Sequence, residues 1–188
     1  MNLRPNPAGD WPEIDPTGYI DQTAQVIGRV KIGYKVFVGP NAVIRADEAD
    51  TSGTVEPIII GPECNIQDGV IIHALAGSQV SIGHSTSLPH GSIIHGPCIL
   101  GANCFVGFRA VLLDTKVAKG VFIGHGTVVC HVDLPPQCLI PHGVSIHTSE
   151  DIAKLAGDIQ AEKKFMEKVV ATNINLAEKY LAQMRHKG

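Results

Sequence analysis

The chain has 188 residues and a formal net charge of −3, enough for one domain with its own core, and with no basic footprint for nucleic acid or polybasic patch for a membrane surface. Apolar residues make up 44%, yet no apolar run approaches the roughly 20 residues of a membrane span. Aromatics are only 5%, against 20 glycines and 12 prolines, so small and β-branched side chains at a regular turn spacing have to fill the core, which suggests a repeat protein.

The opening Met1-Asn2-Leu3-Arg4-Pro5 lacks the apolar stretch of a signal peptide, and a cytoplasmic location is expected. Five cysteines, Cys64, Cys98, Cys104, Cys130 and Cys138, form no CxxC pair. Their odd number argues for reduced thiols, and the missing short spacing argues against a cysteine zinc site.

From Ile20 a period of six begins: Ile20, Val26, Ile32, Val38 and Ile44. It resumes at Ile60, Ile66 and Ile72, then at Ile82, Leu88, Ile94, Leu100, Val106 and Leu112. After a slip of one it continues at Val117, Ile123 and Val129, and all 17 positions are Ile, Leu or Val. Small or β-branched residues lie four further on, among them Ala24, Val36, Ala42, Cys64, Thr86 and Ala110. This period fits neither a helix nor a plain strand, but it fits a triangular coil of three flat sides and three tight turns. Three hexads make a coil of about 18 residues, stacked at about 4.8 Å. Two interruptions, 46–56 and 74–79, read as loops bulging from that coil, where function tends to sit.

Beyond the coil, Ser149-Glu150-Asp151 reads as a helix start, and the stretch Asp151–Gln183 is rich in helix formers. Gly157 divides it into a short and a long helix, with Ile159, Phe165, Val169, Ile174, Leu176 and Leu181 as the apolar face. The expected organisation is a β-helix over 1–148 and a helical segment over 149–188 packing along it.

Three polar residues share one register: Arg45, His73 and His95 each follow an inward anchor by one. If the loops absorb the inserted residues, the three stack on one side of successive coils. Two such histidines can converge on one ion with Zn–N of about 2.0–2.1 Å. His90 follows its anchor by two, in line with Asp68, so it belongs to a neighbouring side. A second subunit would have to present it to the same ion. His84, His125, His131, His142, His147 and His186 read as turn or surface residues.

The segments Ile44-Arg45-Ala46-Asp47-Glu48, Asn65-Ile66-Gln67-Asp68-Gly69-Val70-Ile71-Ile72-His73 and Pro89-His90-Gly91-Ser92-Ile93-Ile94-His95 resemble the γ-class carbonic anhydrases. The likeness runs from Asn6 to Asn173-Ile174-Asn175-Leu176-Ala177-Glu178-Lys179-Tyr180. It implies a left-handed parallel β-helix with a C-terminal helix, assembled as a homotrimer. It implies metal ligands His73 and His95 from one subunit and His90 from its neighbour. The ion would be Zn2+, with Fe2+ or Co2+ equally suited to imidazoles, and the reaction the hydration of CO2 to bicarbonate. Gln67 resembles the residue that orients the attacking oxygen, Asn65 its partner, and Asn173 a substrate-holding asparagine. Glu48 matches a glutamate near the site. Arg45, Asp47 and Asp68 resemble groups that bridge subunits, and trimer pairing is as good a reading of them as catalysis. Ala76 stands where better-known members carry a proton-shuttling glutamate, so Glu48 or His84 would have to replace it. Two other functions remain open: a non-catalytic trimeric scaffold, and a hexapeptide acyltransferase.

Overall fold

A computed structural model of the chain describes residues 2–155, 157 and 159–186. The expected triangular coil forms: a left-handed parallel β-helix of about seven turns. Face one carries Glu13–Ile14, Val30–Ile32, Ile58–Ile60 and Val80–Ile82, and then the later parts of Ile93–Leu100 and Val111–Val117. Face two is a seven-stranded ladder from Tyr19–Ile20 to Leu139–Ile140. Face three runs from Asn2–Arg4 through Gln25–Gly28, Val43–Ala46 and Ile71–His73 to Ser145–Ile146. Every described pairing between these strands is parallel, so each rung hydrogen-bonds to the rungs before and after it.

All 17 anchors are buried inside the prism. Each such side chain contributes about 1.5–3 kcal/mol relative to exposure. The coil also outruns the series read from the sequence: Leu134, Ile140 and Ile146 are three more buried anchors. The last coils repeat every 17 residues, as the pairs Val111↔Val128 and Phe122↔Leu139 show. A corner shortened by one residue between Val129 and Leu134 breaks the period of six.

The corners explain the residue choice. Three residues after an anchor the backbone turns left-handed, at Lys35, Asn41, Glu63, Ser85, Asn103 and Arg109 as well as at several glycines. Where a glycine stands one residue after an anchor, the next coil comes very close. A Cβ on Gly101 would stand 2.6 Å from the backbone nitrogen of Lys119, and one on Gly124 2.5 Å from that of His142. Only glycine lets the coils stack at strand spacing there.

All five cysteines are free. Cys64 and Cys98 lie inside the prism, where burial pushes their thiols up to about 12, so both are inert.

Two helices follow: α1, Ser149–Ala153, and α2, Gln160–Arg185, with Gly157 between them as expected. The cap of α1 is Thr148, one residue earlier than the sequence suggests. Its hydroxyl accepts from the Asp151 backbone N–H while Asp151 accepts from the Thr148 N–H. The α2 helix lies along face two. Ile159 and Met166 pack on Phe105 and Phe122, and Ala177 on Tyr19 and Phe37. Val169, Leu176 and Leu181 of the expected apolar face pack against these clusters and Phe165, though partly exposed, meets Phe105 edge to face, while Met166, Asn173 and Ala177 are the buried residues of α2. Small Ala177 allows the close approach to the stacked Tyr19 and Phe37 rings. No helix among the described residues is long and apolar enough to cross a membrane.

Candidate metal centre

On face three the expected register forms. Arg45 pairs with His73, and His73 with His95, on three successive rungs. Because alternate residues of a strand point to opposite sides, burying Ile44, Ile72 and Ile94 turns these three side chains outward together. The column continues through Ile27 on one end and Leu113 and Cys130 on the other.

His73 and His95 meet: Nδ1 of His73 lies 3.2 Å from Nε2 of His95. Two nitrogen ligands at about 2.0–2.1 Å in a tetrahedral shell stand about 3.3 Å apart, so this separation suits two corners of one. Nδ1 of His95 lies 3.1 Å from its neighbour's carbonyl, Gly96 O. As the N–H donor of that bond, it leaves Nε2 with the free lone pair. His73 is 7% exposed and its Nε2 makes no hydrogen bond. That atom lies 3.1 Å from Glu48 Oε1, but out of line for one. Burial first, and then the Arg45 guanidinium, hold the His73 imidazole below the ordinary histidine range, against the pull of Glu48. A neutral imidazole whose Nδ1 faces the lone pair of a second imidazole at the spacing of two tetrahedral ligands, with its Nε2 turned toward Glu48, fits a divalent metal ion.

The first inserted loop brings the acids. Arg45 Nη1 donates to both carboxylate oxygens of Asp47 at 3.0 Å, and Nη2 lies 3.6 Å from Glu48 Oε1. The second loop meets the first, since the Ala76 backbone N–H donates to Glu48 Oε2 at 3.4 Å. Thus Ala76, which has no acid of its own, holds the carboxylate that stands over His73. His84 lies on the corner between faces one and two, the corner opposite face three, and its Nδ1 is 3.3 Å from Ser85 Oγ.

The remaining candidates lie elsewhere on the chain. His90 and Asp68 sit on the corner between faces two and three, with His90 Nδ1 3.4 Å from Asp68 Oδ2. That carboxylate favours the proton on Nδ1 and leaves Nε2 bare, the usual support of a ligand histidine. Both side chains are 54% exposed. Among the described residues no hydrogen bond, ion pair or ring contact links His90 to His73 or His95. Within the single chain, no three His, Cys, Asp or Glu side chains among the described residues are grouped to hold a metal.

Asn65 lies on face two, and Asn173 on the inner side of α2, which packs on that face. Asn65 pairs with Ser87 on face two, between the apolar clusters around Phe105 and around Tyr19. Asn173 is the buried residue of α2 between Met166 and Ala177, and its Nδ2 donates to Val169 O at 2.9 Å. Both amide atoms of Asn65, Oε1 of Gln67 and the Ser87 hydroxyl are buried without a hydrogen-bond partner. Five candidates therefore gather on face three and its loop, and five on the next corner, face two and the inner side of α2. His125 and His142 lie on turns as expected, and with Phe108 they follow their anchors by two in the same register as His90.

No family model matches the chain. The sequence is 35% identical over 206 residues to the carbonic anhydrase of Methanosarcina thermophila, covering 95% of this chain and 81% of that protein. It is 39% identical over 171 residues to the carboxysome assembly protein CcmM of Synechocystis, covering 85% of this chain but only 24% of that longer protein. Among solved structures, a Bacillus cereus protein described as an acetyltransferase superposes with a TM-score of 0.78 at 23% identity, covering 96% of this chain and 97% of its own. That last likeness carries the fold alone.

Proposed function

The chain belongs to the γ-class carbonic anhydrase family, and from that premise we propose that it is a metal-dependent carbonic anhydrase that interconverts CO2 and bicarbonate in a homotrimer. The observation that carries the reading is the pair of imidazole nitrogens 3.2 Å apart on adjacent rungs. His73 and His95 hold the ion from one subunit, and the exposed His90 of the next completes the set. Zn2+ is the expected ion, with Fe2+ or Co2+ also suited to three imidazoles.

When bound, such a metal makes water nucleophilic near neutral pH. The chain's own residues do the rest. Gln67 offers an uncommitted Oε1 to orient the attacking oxygen. Asn65 brings an uncommitted amide beside it, and Asn173 adds the amide that would steady the substrate. Glu48 takes a proton at Oε1 and, being partly exposed, releases it to solvent or buffer. Arg45 clamps Asp47 and keeps Glu48 in place. Arg45, Asp47 and Asp68 also stand where charges would meet across the subunit boundary.

The test is purification without oxygen, a count of metal per trimer, and a CO2 hydration assay with and without His90→Ala. Activity with about one metal per subunit, lost with the metal in the variant, supports the reading; a metal-free, inactive trimer overturns it. Metal without hydration would favour a second reading, a non-catalytic trimeric scaffold, for which the similarity to a carboxysome assembly protein and the alanine at position 76 both speak.

A further inference from the structure

We propose that Phe108 is a positioning residue for His90, the platform of a stacked ring column that aims this histidine at the neighbouring subunit; this rests on the reading of His90 as a metal ligand. Two residues past their anchors, four successive coils place His90, Phe108, His125 and His142 on the same corner. Their rings stack with centroids 5.4, 4.4 and 4.5 Å apart and planes inclined by 25°, 11° and 25°. These spacings follow the strand repeat of about 4.8 Å, so the coil itself sets the stacking.

The column is anchored from one end. The Phe108 backbone N–H donates to His125 Nδ1 at 3.0 Å, and the His125 N–H donates to His142 Nδ1 at 2.8 Å. Each lower ring is thus fixed by the backbone of the coil before it, and Phe108 rests on a fixed ring. His90 has no such bond. Its contacts are the Asp68 carboxylate on one side and the Phe108 face on the other. A half-exposed histidine held only by a carboxylate would be free to turn about its Cα–Cβ and Cβ–Cγ bonds. The flat platform removes that freedom and leaves Nε2 directed outward, which lowers the ordering cost of closing the site. Phe108 is itself 40% exposed, so it contributes little to the core, and its place is explained by what it supports.

The test compares zinc affinity, by competition with a chromophoric chelator, and the visible spectrum of the Co2+ form, using the full-length protein. Phe108→Leu is expected to weaken zinc about tenfold, as loss of an outer support typically does, and to alter the Co2+ spectrum while the metal-free melting temperature stays. Phe108→Tyr, which keeps the ring, is expected to bind as the unaltered protein does. Zinc affinity unchanged in Phe108→Leu overturns the platform. If His90→Ala also binds unchanged, the assignment of His90 itself is what fails, so the two failures are distinguishable. Should Phe108→Leu not assemble, His125→Leu decides: about threefold weaker zinc supports the column, and an unchanged affinity overturns it.

Discussion

At Glu48 one carboxylate meets three different neighbours: His73, the Arg45 guanidinium and the Ala76 backbone N–H. A group that faces both a buried imidazole and solvent is placed to pass protons between them. Glu48→Gln keeps the shape and removes the proton acceptor. It is expected to lower CO2 hydration at least about tenfold in dilute buffer, with recovery as imidazole buffer is raised. Stopped-flow measurement over a range of buffer concentrations checks this, and turnover that ignores both buffer and substitution would exclude Glu48. Arg45→Met is expected to release Asp47 and Glu48 together, because the guanidinium touches both.

At the scale of the coil, the corners tolerate least. Gly101→Ala would press a methyl group against backbone, which has no side chain to move aside. A loss of about 3 kcal/mol is expected, read as a lower denaturant midpoint. The ring column brings a pH dependence. Burial first, and then His142, hold the His125 imidazole below the ordinary histidine range, opposed by Glu162, and its Nδ1 is already committed to the Phe108 N–H. The unfolded chain therefore binds the proton more readily. The stability His125 supports is full above about pH 6.5 and falls as the pH drops below it. His125→Phe is expected to flatten that fall, as pH-resolved denaturation would show.

The hexads made the coil legible, because a buried anchor every six residues leaves little freedom of register. The same arithmetic put His73 beside His95 and set His90 apart. The final rungs were hidden by the corner that loses a residue before Leu134. The place of Asn173 against face two was hidden as well, because the hexad pattern does not encode how α2 docks there.

With α2 lying along face two, face three stays open to its surroundings among the described residues. Beside the Arg45–His73–His95 column run Val43, Ile71, Ile93, Val111 and Val128, none of them fully buried and Ile71 41% exposed. A row of β-branched side chains next to the proposed ligand pair suits contact with another copy of the chain. Ile71→Lys is expected to give monomers that neither retain zinc nor hydrate CO2, measured by light scattering and metal analysis. Metal should in turn stabilise the trimer by mass action. Zinc at a hundredfold excess over its dissociation constant adds about 2.7 kcal/mol per site, so a chelator is expected to lower the melting temperature.

The distance between His90 and the His73–His95 pair has a genetic consequence. A subunit carrying His73→Ala still offers an intact His90, and one carrying His90→Ala still offers an intact pair. Each variant alone should be dead. Dissociated and reassembled in equal amounts, they should complement one another, because every mixed ring contains one junction with both halves sound. Random assembly would return about a quarter of the normal activity.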